Sequence, residues 1–593
     1  MDSQDNVLYI ASPKFLSYQS PLFVLIKGRS MNQRSLFIIF LVATVLTFTY
    51  FIYTNPRAAD IIFTNANVYT LDPESPVVEA VAVHGGRIVG TGNTRDLLRE
   101  FDTKQVIDLT GKTMVPGFID AHAHMNGLGE LMQSIVLVGV TSPEGVAALV
   151  RERAKRLSPG EWIYGRGWDQ NLWPTKQFPT KAWLDAAAPN NPIILGRIDG
   201  HAIWVNGKAM EIAKISRETK DPEGGKIVRD IGGSPTGIFI DNAKSLIENV
   251  FPPQSPEEIE RSLLIAAREC VKMGLTEVHD MGDSAEVEIY KQLADHKNLP
   301  IRIYAVIGTE TEGWRDLLDK GPIIGYSNGM FTLRAVKFYM DGALGSRGAA
   351  LFDEYADDPG NRGITRMSKD SLETAVRVAI NRGFQPCTHA IGDRANRIVL
   401  DAYETLLKSL PKGDYRLRIE HAQVLSPNDI PRFEQLGVLP SMQPIHATSD
   451  MYWAEARLGP ERVKGAYAWR SLLETATIIL GGSDFPNDTM NPLWGFYAAI
   501  SRGDPTGYPA EGWYGKQKMT REEALKSITL WAAYGAFQEP MKGSIEIGKY
   551  ADLTILSKDI MTIPAREILK TDVEMTVVGG KVVYVKEATQ QVP

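Results

Sequence analysis

Apolar residues along the chain fall into three textures. From Leu36 to Tyr53 the run LFIIFLVATVLTFTYFIY is uncharged between Arg34 and Arg57, long enough to cross a bilayer core once as a helix. Beyond it, DIIFTNANVYTLD, EAVAVHGGRIVGTG and KQVIDLTGKTMVPG are short runs rich in Val, Ile and Thr, broken by Gly, Asn and Asp. That pattern predicts strands, and it returns near the end at GSIEIGKYADLTILS and MTVVGGKVVYV. Between about Pro116 and Ala536, strand-like runs such as PIILG, TEVHDMG, LRAVKFYMDG and TIILGGSD alternate with amphipathic stretches such as PEEIERSLLIAARECVKMG. This alternation predicts a parallel α/β fold.

The 593 residues exceed one ordinary domain, but a large α/β barrel with a smaller companion accommodates them. The expected architecture is α/β: a (β/α)8 TIM-like barrel at 116–536 and a small composite β-sandwich from both chain ends, at 60–115 and 537–593. An N-terminal segment at 1–35 and a transmembrane signal anchor at 36–53 precede them. No internal repeat or low-complexity tract interrupts this plan. The stretch Trp162–Asn190, with Trp162, Trp168, Trp173 and Trp183 among prolines, reads as an ordered insertion carrying substrate-side loops, with Trp168 as a substrate-binding candidate.

Lys14, Lys27, Arg29 and Arg34 precede the apolar segment, whereas Arg57 is opposed by Asp60 after it. The excess of positive charge places the N-terminus in the cytosol and the barrel in a lumen. The expectation is therefore a single-pass membrane protein of the endoplasmic reticulum and secretory pathway or of perinuclear membranes. A cleaved signal peptide starting at Met31 is the alternative. The triplet Asn487-Asp488-Thr489 fits a glycosylation acceptor, but it follows a candidate site residue too closely to decide topology.

A composition of 44% hydrophobic and 23% charged residues supports a substantial core. The formal charge of −7 excludes a nucleic-acid surface as the natural reading. Two cysteines, Cys270 and Cys387, cannot form a zinc cluster, so any metal must be held by His, Asp, Glu or Lys. A homo-oligomer is compatible with the sequence and not specified by it.

Nine histidines are present. His122 and His124, in FIDAHAH, lie at i and i+2 at the end of a predicted strand and so point to the same side. Alone, such a pair is weak evidence. Further candidates follow at the C-terminal ends of predicted strands, where barrel enzymes carry catalytic groups: Lys337 in LRAVKFYMDG, His389 in FQPCTHAIGD, His421 in YRLRIEHAQ and Asp484 in TIILGGSDFP. The ordered set His, His, Lys, His, His, Asp points to a metal site more strongly than any member. An ammonium on an apolar strand is costly unless paired or modified, and pairing of Lys337 with nearby Asp341 is the structural alternative. His84, His296 and His446 have no such setting and read as surface or packing residues.

The segments VPGFIDAHAH, GRGWDQNLWP, GHAIWVNGKAM, VHDMG, VKFYMDGALGSRGAAL, HAIGDRA, IEHAQ and GSDFP resemble the amidohydrolase superfamily, in the branch of YtcJ-like proteins and N-substituted formamide deformylases. The resemblance runs from about Asp60 to about Val585, and plant long-after-far-red light-signalling proteins look like members of the same branch. It implies that His122 and His124 hold a more buried divalent metal, most naturally zinc, and that His389 and His421 hold a more exposed one. It further implies that Lys337, as a carbamate, bridges the two, and that Asp484 is both ligand and general base. One ion or two are both compatible with the branch. Bound metal lowers the pKa of water toward about 7 and polarises a carbonyl.

Three further residues are candidates. His201, in IDGHAIWVNG, could donate to a substrate carbonyl. Asp280, beside His279 at a strand end, is a pocket-lining candidate, and Arg347 in GSRGAAL is suited to a substrate carboxylate. The function expected is hydrolysis of a small-molecule amide, formamide or cyclic amide by metal-activated water, compatible with a role in plant light signalling. A deaminase of the same superfamily is the nearest rival, but the glutamate such enzymes carry shortly after a histidine is missing from His201-Ala202-Ile203-Trp204. A non-catalytic scaffold on the same fold is the rival of a different class, and degenerate ligands would favour it. All six ligand positions hold competent residues.

Overall fold

The computed structural model describes residues 56–587 apart from 198–201, 223–224 and 252. The apolar segment Leu36–Tyr53 lies outside the described residues, and so do the anchor and topology expected from it. Among the described residues no helix is long and apolar enough to cross a membrane.

Eight parallel strands form the centre: β1 (Phe118–Ala123), β2 (Leu275–Gly282), β3 (Arg302–Gly308), β4 (Phe331–Tyr339), β5 (Gln385–Ala390), β6 (Arg418–His421), β7 (Leu439–Met442) and β8 (Leu480–Gly481). Each pairs with the next in chain order. Past β8 the chain returns to β1, where the Asp484 amide donates to the His122 carbonyl at 2.7 Å, so the barrel is nearly closed. The strands are buried on both faces, which explains their near-continuous apolar runs.

The helices between strands show the expected period. In Pro256–Lys272 a capping box of Ser255 and Glu258 starts the helix, and Ile259, Leu263, Ala266, Ala267 and Cys270 form its buried stripe. Burying each large aliphatic side chain there contributes roughly 1.5–3 kcal/mol. The helix meets Met125–Gln133 so closely that a Cβ on Gly129 would stand 2.1 Å from the Ser262 carbonyl oxygen. Only glycine fits at that crossing.

Two sheets join the chain ends. One orders Arg87–Gly92, Ala80–His84, Arg57–Thr64 and Phe101–Asp108. The other runs Lys581–Val585, Val573–Val578, Leu553–Leu556, Thr113–Pro116, Asn67–Tyr69, Val77–Val78, interleaving C-terminal and N-terminal strands. Phe63, Val83 and Met114 pack with Leu553 and Val577 in their shared core.

The largest departure from expectation lies between β1 and β2. Instead of loops confined to Trp162–Asn190, the chain builds a six-stranded mixed sheet in the order Gly225–Arg229, Pro235–Asp241, Ala202–Val205, Ile193–Arg197, Ile163–Trp168, Ile135–Val136. PIILG therefore belongs to this inserted sheet and not to the barrel. Its core is aromatic: Trp168, Trp173 and Trp204 lie with ring centroids 6.1–6.2 Å apart.

Candidate metal centre

β1 ends in the pair read from the sequence. His122, within the strand, is fully buried, whereas His124 begins the turn into helix Met125–Gln133 and keeps 36% of its side chain exposed. Both Nε2 atoms face one carboxylate oxygen, Asp484 Oδ1, at 3.5 Å and 3.2 Å. That oxygen is buried and, among the described residues, has no hydrogen-bond partner. A buried anionic oxygen left without a donor is costly, and a cation held between it and two imidazoles removes the cost. The ligand atoms of His122, His124 and Asp484 all lie within 4.8 Å of one another, so these residues fit a divalent ion.

The loop carrying Asp484 is fixed to β1. Asp120 accepts from Ser483 Oγ at 2.6 Å, from the Ser483 amide at 3.0 Å and from the His122 amide at 3.1 Å. A Cβ on Gly482 would stand 2.7 Å from the His122 nitrogen, so this approach requires glycine. Burial raises the Asp120 carboxyl to about 6. Asp484 itself has φ 60° and His421 has φ 74°, left-handed conformations that are strained for residues with a side chain and gather at functional sites. At His421 the turn interrupts the alternation of β6, in which Arg418 and Glu420 share one face.

The remaining candidates converge unequally. Lys337 is buried, with Nζ 3.1 Å from His122 Nε2. Its alternative partner Asp341 instead accepts from the backbone amides of Ala350, Ile391 and Gly392 at 2.8–2.9 Å. The His421 ring lies 4.7 Å from that of His122 and 4.7 Å from that of His389. Gln443 accepts from His421 Nδ1 at 2.8 Å, which leaves Nε2 free for a cation. His389 Nε2 stands 3.4 Å from Asp341 Oδ1, outside both groups of ligand atoms that come together.

The second of those groups is His421, His446 and Asp484. His446, read from the sequence as a packing or surface residue, stacks at 16° on His421 and reaches to 3.8 Å from Asp484 Oδ2. It sits in helix Pro444–Asp450, directly after β7. The place just past a barrel strand was the signal available for it.

Burial lowers the imidazole pKa values, to about 4 at His122 and about 3 at His389, with the Lys337 charge acting in the same direction. These rings are neutral, as metal ligands must be. Burial also lowers Lys337, which favours a neutral amine. At Asp484 burial works against the anion, but the close imidazoles of His124, His122, His421 and His446 outweigh it and hold the carboxyl well below the usual carboxylate range.

Three substrate-side candidates are placed elsewhere. Trp168 is fully buried in the inserted sheet and donates Nε1–H to the Leu195 carbonyl at 2.8 Å, so it packs that core rather than lining a pocket. Asp280 is buried and accepts from the Met125 amide and the Tyr290 hydroxyl at 2.8 Å and 2.6 Å. It supports the helix that follows His124 and does not face open space. Arg347 forms a two-pronged pair with Asp357 at 3.1 Å and 2.9 Å, so a substrate carboxylate would have to displace that partner. His201 lies outside the described residues.

Comparison with known proteins agrees with the geometry. LONG AFTER FAR-RED 3 of Arabidopsis thaliana is 34% identical over 545 residues, covering 89% of this chain and 92% of that protein. The N-substituted formamide deformylase of Arthrobacter pascens is 28% identical over 545 residues, 88% of this chain and 98% of that one. The crystal structure of an uncharacterized metal-dependent hydrolase from Pyrococcus furiosus superposes with a TM-score of 0.71 at 26% identity, covering 85% of this chain and all of that one. The profile of the amidohydrolase family matches residues 105–584, most of the chain, and the chain belongs to that family.

Proposed function

We propose that this amidohydrolase cleaves a non-peptide C–N bond, an amide or formamide, in a small molecule. The observation that carries the reading is Asp484 Oδ1, buried with no hydrogen-bond partner among the described residues and faced by the Nε2 atoms of both His122 and His124. The likeness to a formamide deformylase over 98% of that protein's length supports the bond class.

His122, His124 and Asp484 would hold one divalent ion, with zinc the natural candidate for a site of imidazole and carboxylate. His421 with His389 or His446, and Lys337 as a carbamate, would serve a second. The ion supplies polarisation of water and of the substrate carbonyl. Asp484, kept anionic by its histidines, accepts the proton of the attacking water and delivers it to the leaving nitrogen. Burial of His122 and Lys337 excludes bulk water from one side of the site and so strengthens each charge interaction. His201 remains the candidate donor to the carbonyl oxygen.

The proposal extends to the setting: Leu36–Tyr53 anchors the chain with the barrel in a lumen, as a monomer or a homo-oligomer. The 34% identity to LONG AFTER FAR-RED 3 supports a role in plant light signalling alongside catalysis. The test is metal analysis of the purified protein combined with a screen of N-formyl and N-acyl amines. Release of formate or another carboxylate, abolished by chelation, is expected. A metal-loaded protein that hydrolyses no member of the panel while deaminating aminopurines would overturn the bond class.

A further inference from the structure

The barrel interior beneath the site is not filled by the aliphatic layers common in this architecture. It carries a column of buried polar groups. At the bottom, Lys542 pairs with Glu277 on β2. Next, Glu277 Oε1 lies 3.4 Å from His279 Nε2, and His279 Nδ1 receives Arg418 at 3.1 Å. Arg418 then grips Glu420 on the same strand, Nε to Oε1 at 2.8 Å and a terminal nitrogen to Oε2 at 3.1 Å. Glu420 Oε2 in turn accepts from His122 Nδ1 at 2.6 Å. Neither Arg418 nor Glu420 has any exposed side-chain surface.

We infer that Glu420, held by Arg418, is a positioning residue that fixes the tautomer and ring orientation of His122. A carboxylate can only accept, so His122 Nδ1 carries the proton and Nε2 presents its lone pair toward Asp484 and Lys337. Arg418 cannot rotate away, because it also donates to the Ala121 carbonyl on β1 at 2.7 Å and to Ser441 Oγ on the adjacent β7 at 3.1 Å. A buried carboxylate on the far nitrogen of a metal-binding imidazole raises its basicity and removes its rotational freedom, and loss of such a partner weakens metal binding about 10- to 100-fold. This inference rests on the proposed metal site.

The test measures zinc affinity of the metal-free full-length protein by competition with a chromophoric chelator, together with the melting temperature of the metal-free form. Glu420→Gln should weaken zinc about 10- to 100-fold. The control is Glu277→Gln with Lys542→Met, which disrupts the other end of the column and should leave zinc affinity within about threefold of wild type. If Glu420→Gln does not fold, Arg418→Met with Glu420→Met, which removes both buried charges together, carries the same expectation. Zinc affinity within about threefold of wild type in the folded Glu420 variant overturns the positioning role while leaving the metal site intact. An equal loss in the Glu277 and Lys542 control would assign the effect to general barrel damage and also overturn it. A wild-type protein that takes up no zinc overturns both this inference and the proposed function.

Discussion

Lys337 Nζ stands 3.1 Å from His122 Nε2, on the side of the ring that faces the candidate ion. An ammonium there would repel a cation, whereas a carbamate on the same nitrogen would supply an anionic bridging ligand. Asp341, whose carboxylate is occupied by three backbone amides, does not pair with Lys337. Lys337→Ala is therefore expected to lose activity and at least one metal per chain, with partial recovery in acetate. Lys337→Arg should not recover, since the guanidinium fills the space and stays charged. Full metal content in the alanine variant without added carboxylate would make Lys337 a structural lysine.

Asp484 is predicted to be the group that moves the proton. Replacing it by Asn removes the base while nearly preserving shape, and turnover on an identified substrate should fall by about 10²-fold or more. Circular dichroism and melting temperature should change little. Activity near the wild-type value would remove Asp484 from this role.

Much of the candidate site was legible because its residues stand at the ends of strands whose apolar runs are unambiguous. His122, His124, Lys337, His421 and Asp484 each follow such a run and are brought together by the barrel. His446 escaped because it belongs to a helix after β7 and has no neighbouring histidine in the sequence. Nothing in the sequence marks Glu420 and Arg418, because only the barrel places His122 beside them. Trp168 misled for the opposite reason: a tryptophan in an inserted segment reads the same whether it faces substrate or fills a core. The six-stranded sheet was missed because its strands are short and pair in both directions, so no single period marks them.

The buried imidazoles should make the metal-free protein sensitive to acid. His122 and His389 are held neutral, with pKa values of about 4 and about 3, against about 6.5 in the unfolded chain. Above pH 6.5 neither form takes the proton, so these groups leave stability unchanged. As pH falls below 6.5 only the unfolded chain is protonated, and stability drops until the folded values are reached. Each ring costs about 3 kcal/mol by pH 4. Between pH 7.5 and pH 4.5 the buried carboxyls of Asp120 and Asp341, raised to about 6 and about 7, act in the opposite direction, so the imidazole contribution is read as the difference between variants: the melting temperature of chelated His389→Asn should fall less over this range than that of wild type. Equal pH dependence of melting in wild type and His389→Asn would contradict a buried neutral imidazole at His389.

The segment Leu36–Tyr53 should keep the full-length chain in membranes through alkaline carbonate extraction, with the barrel protected from protease in sealed vesicles. Digestion of the barrel without detergent would reverse the orientation. Release into the soluble fraction would show that the segment is cleaved or does not span.

The central claim is that His122 and His124 gather with Asp484 around a divalent ion. Elemental analysis of purified wild-type protein beside the His122→Ala, His124→Ala double variant tests it most directly. One or two zinc or similar ions per wild-type chain, and loss of at least one in the double variant with its fold retained, is the predicted result. Equal metal content and equal activity in the two proteins would contradict the account.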